Sequence, residues 1–98
     1  MLRHVVCLQF KPEATAADRQ AIADALAALP ARIPQLRDYR FGTDAAIAEG
    51  NFDFAVVADV DDAEGFAAYR DDPEHQRIIA ELIRPILAGR ASVQFWID

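Results

Sequence analysis

The segment Phe52-Asp-Phe-Ala-Val-Val-Ala-Asp-Val60 is the clearest strand in the chain and decides its fold. Side chains of an extended strand alternate between its two faces. At the centre of this strand both faces are apolar, with Phe54 and Val56 on one and Ala55 and Val57 on the other. Such a strand is typical of the interior of a sheet that is covered on both sides.

Alternating patterns predict three more strands, and the first repeats the two-faced character of the central one. Residues 2–10 place His4 and Val6 on one face and Val5 and Cys7 on the other. A shorter strand is predicted over 36–41, closed by Gly42, and a final strand over 91–97. Residues 43–51 are interpreted as a loop.

Two helical regions separate these strands. Thr15-x-x-Asp18 matches a capping box and predicts a helix that runs to about Leu29 and is broken by Pro30. The second region starts after Asp61-Asp62 and restarts at Asp72-Pro73, where aspartate suits the N-cap and proline the first helical position.

The helix after this restart is expected to be longer than the short helix before it and to present Ile78, Ile79, Leu82, Ile83 and Ile86. Pro85 is expected to kink or shorten it, and Gly89 to cap its C-terminal end.

The predicted order is β-α-β-β-α-β, which is typical of a ferredoxin-like α+β fold with one antiparallel sheet covered by helices on one face. Residues 1–98 form a single domain. Because helices cover only one face, the other apolar face is exposed in a single chain, and a bare apolar sheet is unfavourable in water. We therefore expect a homodimer that is formed through this sheet face.

Composition limits the classes of partner. The formal net charge of -6 and the scattered basic residues argue against nucleic acid and against anionic membranes. No apolar run is long enough to span a bilayer, and the N-terminus does not resemble a signal peptide, so we expect a cytoplasmic protein. Cys7 is the single cysteine, and no spacing of ligands predicts a metal site.

The segment Tyr69-Arg-Asp-Asp-Pro-Glu-His75-Gln76 carries the candidate chemistry. His75 falls near the start of the restarted helix, where the positive helix end disfavours the charged imidazolium. A neutral histidine that could remove a proton and a phenol that could hydrogen-bond a developing enolate form a candidate catalytic pair. The same residues can also be explained as a helix-start hydrogen bond and a core tyrosine.

Three segments together resemble the stress-responsive dimeric α/β-barrel (Dabb) family. These are His4-Val-Val-Cys-Leu-Gln-Phe10-Lys-Pro, Ile33-Pro34 before a strand, and Tyr69-x-x-x-Pro73-x-His75-Gln76. The resemblance covers essentially the whole chain and implies two ferredoxin-like subunits whose sheets pack face to face into a shared barrel. The family includes plant stress-induced proteins, bacterial proteins of unknown role, and a plant polyketide cyclase that uses no metal or organic cofactor.

The resemblance implies that Tyr69 and His75 correspond to the catalytic pair of the cyclase and His4 to a pocket histidine. Three positions depart from the pattern: Asp72 stands before the proline where histidine is frequent, Phe54 where the cyclase has a second pocket histidine, and Leu26 where it has a tyrosine. The cyclase substrate is therefore not expected here. The predicted ligand-binding residues are His4, Val6, Leu26, Phe54, Val56 and Ile78.

Three functions remain open from the sequence. The first is a stress-associated homodimer of uncharacterised role with a pocket for a small apolar ligand between sheet and helices. The second is a cofactor-independent, polyketide-cyclase-like enzyme that acts on an aromatic or polyketide-like compound through Tyr69 and His75. The third, by analogy of fold alone, is a cofactor-free quinol monooxygenase.

Overall fold

A four-stranded antiparallel sheet is the frame of the computed structural model, which describes all 98 residues. Its order is β2-β3-β1-β4, and its strands are β1 (Leu2–Phe10), β2 (Asp38–Thr43), β3 (Phe54–Val60) and β4 (Leu87–Trp96). With helices after β1 and after β3, this order confirms the predicted β-α-β-β-α-β arrangement and the ferredoxin-like fold.

Helix α1 (Ala16–Ala27) begins at the predicted capping box. The Asp18 amide donates to Thr15 Oγ1 at 3.1 Å, and the Thr15 amide donates to the Asp18 carboxylate at 2.9 Å. Helical structure does not stop at Pro30 as predicted, because a short helix α2 (Leu29–Arg32) follows. Pro30 lies in its first turn, where the N–H that proline lacks has no helical partner.

The second helical region is divided in two at the predicted restart. Helix α3 (Ala63–Asp71) has Asp62 as its N-cap, and helix α4 (Pro73–Ile78) has Asp72 as its N-cap. The Asp72 carboxylate accepts hydrogen bonds from the amides of Glu74 at 3.0 Å and His75 at 3.1 Å.

The helical region predicted after Pro73 extends to Ile86, but only Pro73–Ile78 is a regular α-helix. A π-helical turn (Ile79–Ile83) and a 3₁₀ turn (Arg84–Ile86) follow α4, and β4 starts directly afterwards. Pro85 lacks the N–H that a continued helix needs. Gly89 consequently lies inside β4, opposite Gln9, and does not cap a helix.

Strand β2 is displaced by two residues from its predicted position at 36–41. Its side chains Tyr39 and Phe41 pair with Ala58 and Val56 of β3, so the register follows the partner strand. Gly42 lies within this strand and does not close it.

The two faces of the sheet have different surroundings. Under the helices lies a core of buried side chains: Leu8, Phe10, Ile22, Leu26, Leu29, Ile33, Phe54, Val56, Ala58, Tyr69, Ile78 and Ile83. On the opposite face, Val5 of β1 lies between Val57 of β3 and Val93 of β4. Val93 is 58% exposed and Phe95 44% exposed, so this apolar face is uncovered in the single chain. None of the helices combines the length and the apolar character that crossing a membrane requires.

We predict that Asp72→Ala lowers the free energy of unfolding by about 1–2 kcal/mol, because α4 loses the cap on two of its backbone amides. Urea denaturation checks the change. Asp71→Ala is the matched control, since Asp71 is exposed and pairs only with the adjacent Arg70. Equal losses in the two variants would contradict the capping role.

Candidate functional site

A cavity of about 320 Å³ lies between the helix-covered face of the sheet and the segment that runs from α4 to β4. Its walls are mainly apolar, and two histidines, one tyrosine and two arginines contribute its polar atoms. The lining residues are His4, Val6, Leu8, Leu26, Val56, Tyr69, His75, Ile79, Ile83, Arg84, Leu87 and Arg90. The structure therefore brings together Tyr69, His75 and His4 around one space.

Tyr69 and His75 stack face to face. Their ring centroids are 4.1 Å apart with an interplanar angle of 28°. His75 Nδ1 lies 3.1 Å from the carbonyl oxygen of Arg70, which can only accept a hydrogen bond. Nδ1 therefore carries the proton of the neutral ring, and the lone pair is on Nε2. Nε2 has no hydrogen-bond partner in the chain and is the nitrogen that is free to take a proton.

Burial lowers the pKa of His75 below its ordinary value of 6.5. The carbonyls of Arg70 and Tyr69 and the charge of Asp72 act in the opposite direction, but burial is the largest effect. A neutral His75 near pH 7 agrees with the sequence prediction, although the cause differs. The sequence argument relied on the helix start, whereas packing against Tyr69 and the cavity wall removes the ring from water.

The hydroxyl of Tyr69 is 2.8 Å from the hydroxyl of Tyr39 on β2. Tyr69 is 3% exposed, and burial raises the pKa of both phenols. Either hydroxyl can donate this hydrogen bond, and in one of the two arrangements Tyr39 donates to the oxygen of Tyr69. In that arrangement the proton of Tyr69 is available to a ligand in the cavity.

His4 is 5% exposed and contacts side chains of a neighbouring strand and of α3. Its Nδ1 lies 2.9 Å from Nε2 of Gln94, and its ring packs against Phe66 with centroids 4.8 Å apart. Burial, with smaller effects from Arg90 and His75, lowers the pKa of His4 to about 4. His4 is therefore neutral at physiological pH.

The six predicted ligand-binding residues divide into two groups. Four of them, His4, Val6, Leu26 and Val56, line the cavity. Phe54 and Ile78 do not, because their side chains are used in core packing. Phe54 is 2% exposed and stacks on Phe41 at a centroid distance of 6.4 Å, and Ile78 is 0% exposed. A binding role for any of the six stays a prediction.

Sequence reasoning missed several residues of this site. Tyr39 lies two positions before Phe41 on β2, and the alternation of that strand places both on the core side. Arg90 was missed because the last strand was predicted to begin at 91. The hydrophobic walls formed by Ile79, Ile83 and Leu87 depended on turns that no local pattern predicts. Across the chain, no group of three or more His, Cys, Asp or Glu side chains is placed to share a metal ion.

Comparison with protein families gives a match along nearly the entire chain. The family model described as Stress responsive A/B Barrel Domain (Dabb) matches residues 2–97. Among curated proteins, none matches.

Several solved structures have the same fold. A dimeric ferredoxin-like protein of unknown function from Thermobifida fusca is 44% identical, with a TM-score of 0.91, and the match covers 98% of this chain and 90% of that one. A Dabb family protein from Mesorhizobium loti is 12% identical with a TM-score of 0.80, covering 99% and 96%. The hydroxynitrile lyase of Passiflora edulis is 17% identical with a TM-score of 0.83, covering 99% and 93%. The last two show likeness of fold alone.

The low pKa of His4 predicts a pH dependence of stability. The unfolded chain binds a proton at His4 near pH 6.5 and the folded chain only near pH 4. Neutral His4 therefore stabilises the folded chain fully above pH 6.5. Its contribution to the free energy of unfolding, roughly 3 kcal/mol at most, is lost as the pH falls from 6.5 to 4. His4→Phe keeps a ring against Phe66 but cannot titrate.

Urea denaturation from pH 4 to pH 7 compares the two proteins. We expect the free energy of unfolding to fall less steeply toward low pH in His4→Phe than in the wild type. Parallel pH curves for the two proteins would contradict the buried neutral state of His4.

Proposed function

Because the chain belongs to the stress-responsive A/B barrel domain (Dabb) family, we propose that it is a homodimer in which each subunit binds a small, largely apolar compound beside Tyr69 and His75. The observation that carries this proposal is the cavity of about 320 Å³, in which apolar walls surround a few converging polar groups. Pockets that bind small molecules have this composition, and this volume is at the lower end of their range. A cytoplasmic location is part of the same proposal.

The uncovered sheet face supports the homodimer. It presents a row of apolar side chains that includes Val5, Val57 and Val93, and water is an unfavourable neighbour for such a surface. The Thermobifida fusca protein, 44% identical over nearly the full chain, is described as dimeric. A second copy that is placed on this face by a two-fold axis covers both apolar surfaces at once.

The second candidate function is a cofactor-independent enzyme of the polyketide-cyclase type. The specific observation in its favour is that Nε2 of His75 is free while Tyr39 holds the hydroxyl of Tyr69. In this mechanism Nε2 takes a proton from a carbon next to a carbonyl, and the Tyr69 hydroxyl donates to the oxygen on which the enolate charge develops. The enolate carbon then attacks a second carbonyl of the same molecule, and its new alkoxide receives the proton.

A protein with the same fold is named as an enzyme, which supports catalysis as a possible role of this fold. The Passiflora edulis protein is named as a hydroxynitrile lyase, so a chain of the same architecture serves as an enzyme. Its 17% identity supports no common substrate. Whether the present cavity only binds its ligand or also turns it over is therefore a question for the variants below.

We predict that phenolic or β-polyketone compounds raise the thermal unfolding midpoint of the wild type and that His75→Ala loses this effect. The alanine removes one wall of the cavity and the stacking partner of Tyr69. His75→Phe keeps an aromatic wall without a nitrogen base. Binding with turnover in the wild type, but binding alone in His75→Phe, identifies the enzyme.

Two other outcomes of these assays would change the function assigned to the cavity. Oxygen consumption with a quinol indicates the monooxygenase. A wild type that no compound stabilises, together with a His75→Ala variant that merely unfolds earlier, contradicts ligand binding.

We further predict that the wild type is a dimer at micromolar concentration and that Val93→Asp shifts it toward the monomer. The variant places a charge in the middle of the apolar face, and burying that charge against a second subunit is costly. Ser92→Asp is the matched control, because it adds the same charge on the opposite face of β4. Sedimentation equilibrium measures both. A monomeric wild type contradicts the proposed dimer.

A further inference from the structure

Two arginines line the cavity without any acidic partner. Arg84 follows the π-helical turn, and Arg90 lies on β4 directly opposite Leu8 of β1. The side chain of Arg84 forms no hydrogen bond within the chain, and the only hydrogen bond of the Arg90 side chain is to Ser92 Oγ at 3.3 Å. No Asp or Glu contributes to the cavity wall. The positive charges at this site are therefore not neutralised by the protein itself.

This arrangement is unusual for the arginines of this chain. The sequence contains 16 Asp and Glu residues and ten Lys and Arg residues. Most of the arginines form an ion pair with a carboxylate. Those in ion pairs are Arg3, Arg32, Arg37, Arg40, Arg70 and Arg77. In an acidic protein, leaving two guanidinium groups free at the wall of one apolar cavity creates a local positive site.

The charge of Arg90 also affects another residue that lines the cavity, His4. Arg90 contributes to the lowered pKa of His4, so its field reaches a ring on the adjacent strand. Both histidines of the cavity are neutral at pH 7, and the cavity is thus lined by two exposed cations and no anion. A ligand that brings a negative group would supply the missing counter-charge.

We infer that the cavity is built for an amphipathic carboxylate, whose apolar body lies against Leu26, Val56 and Ile83 and whose carboxylate is held by Arg84 and Arg90. This inference rests on the proposed function of the same cavity and specifies its ligand class. A planar guanidinium matches a carboxylate because it can donate two parallel hydrogen bonds. The opposite end of such a ligand lies toward Tyr69 and His75.

Matched pairs of probes test the inference. Cinnamate and cinnamamide, like octanoate and octanamide, have nearly the same shape and differ in charge at pH 7. Isothermal titration with the full-length wild type, together with neutral aryl ketones as a third group, measures their dissociation constants. We expect the carboxylate of at least one pair to bind tenfold or more tightly than its amide, and added salt to reduce this ratio.

The variants Arg84→Gln and Arg90→Gln, alone and combined, assign the preference to these side chains. Each single change is expected to reduce the carboxylate-to-amide ratio about threefold or more, and the double variant to abolish it while amide binding is kept. Arg37→Gln is the control, because Arg37 pairs with Asp61 outside this cavity. Circular dichroism of every variant verifies that the fold is retained.

Each outcome separates the two proposals. If amides or neutral ketones bind as well as carboxylates, or if the double variant keeps the preference, the carboxylate inference is overturned and the apolar pocket stands. If no compound of any group binds the wild type, the proposed ligand-binding function fails, and the inference fails with it.

Discussion

The antiparallel pairing of β1 with β3 is the constraint on which the rest of the molecule depends. Its register sets Leu8 beside Phe54 and His4 beside Ala58 on the helix-covered face, and Val5 beside Val57 on the other. A shift of one residue would exchange the two faces of a strand. The core, the cavity and the uncovered apolar surface therefore all depend on the register of one ladder of backbone hydrogen bonds.

The cavity exists because the chain after Asp72 cannot continue as a regular helix. A single long helix over the sheet would pack its apolar stripe closely against β1 and β3. Instead, α4, the π-helical turn and the 3₁₀ turn change the direction of Ile79, Ile83 and Leu87 within a few residues. π-Helical turns occur frequently at functional sites, because the extra residue displaces side chains from ordinary helical packing. The irregular segment thus forms a wall with space behind it.

Local signals predicted much of this structure, and their failures have a common cause. The capping box at Thr15 and the cap at Asp72 were recognised because each depends on residues within one turn. Strand β2 was misplaced because its ends depend on hydrogen bonds to β3. Gly89 was misassigned because the helix before it ends early, and its strand partner Gln9 is distant in sequence. Tyr69 and His75 were predicted as candidate site residues and line the cavity, whereas Tyr39 and Arg90 were not predicted.

The sequence by itself determined the order of the elements, the two-faced central strands and the position of Tyr69 and His75 on either side of a helix restart, because these follow from alternation, capping and close spacing along the chain. Only the tertiary structure decided that Tyr39 holds the hydroxyl of Tyr69, that His4 is neutral in contact with Gln94, and that Arg84 and Arg90 share one cavity wall. The first two contacts join residues that are distant in sequence, and Arg84 and Arg90 come from a helical turn and a strand whose geometry no local pattern predicted. Only folding brings them within reach, because hydrogen bonds and charge interactions act over a few ångströms.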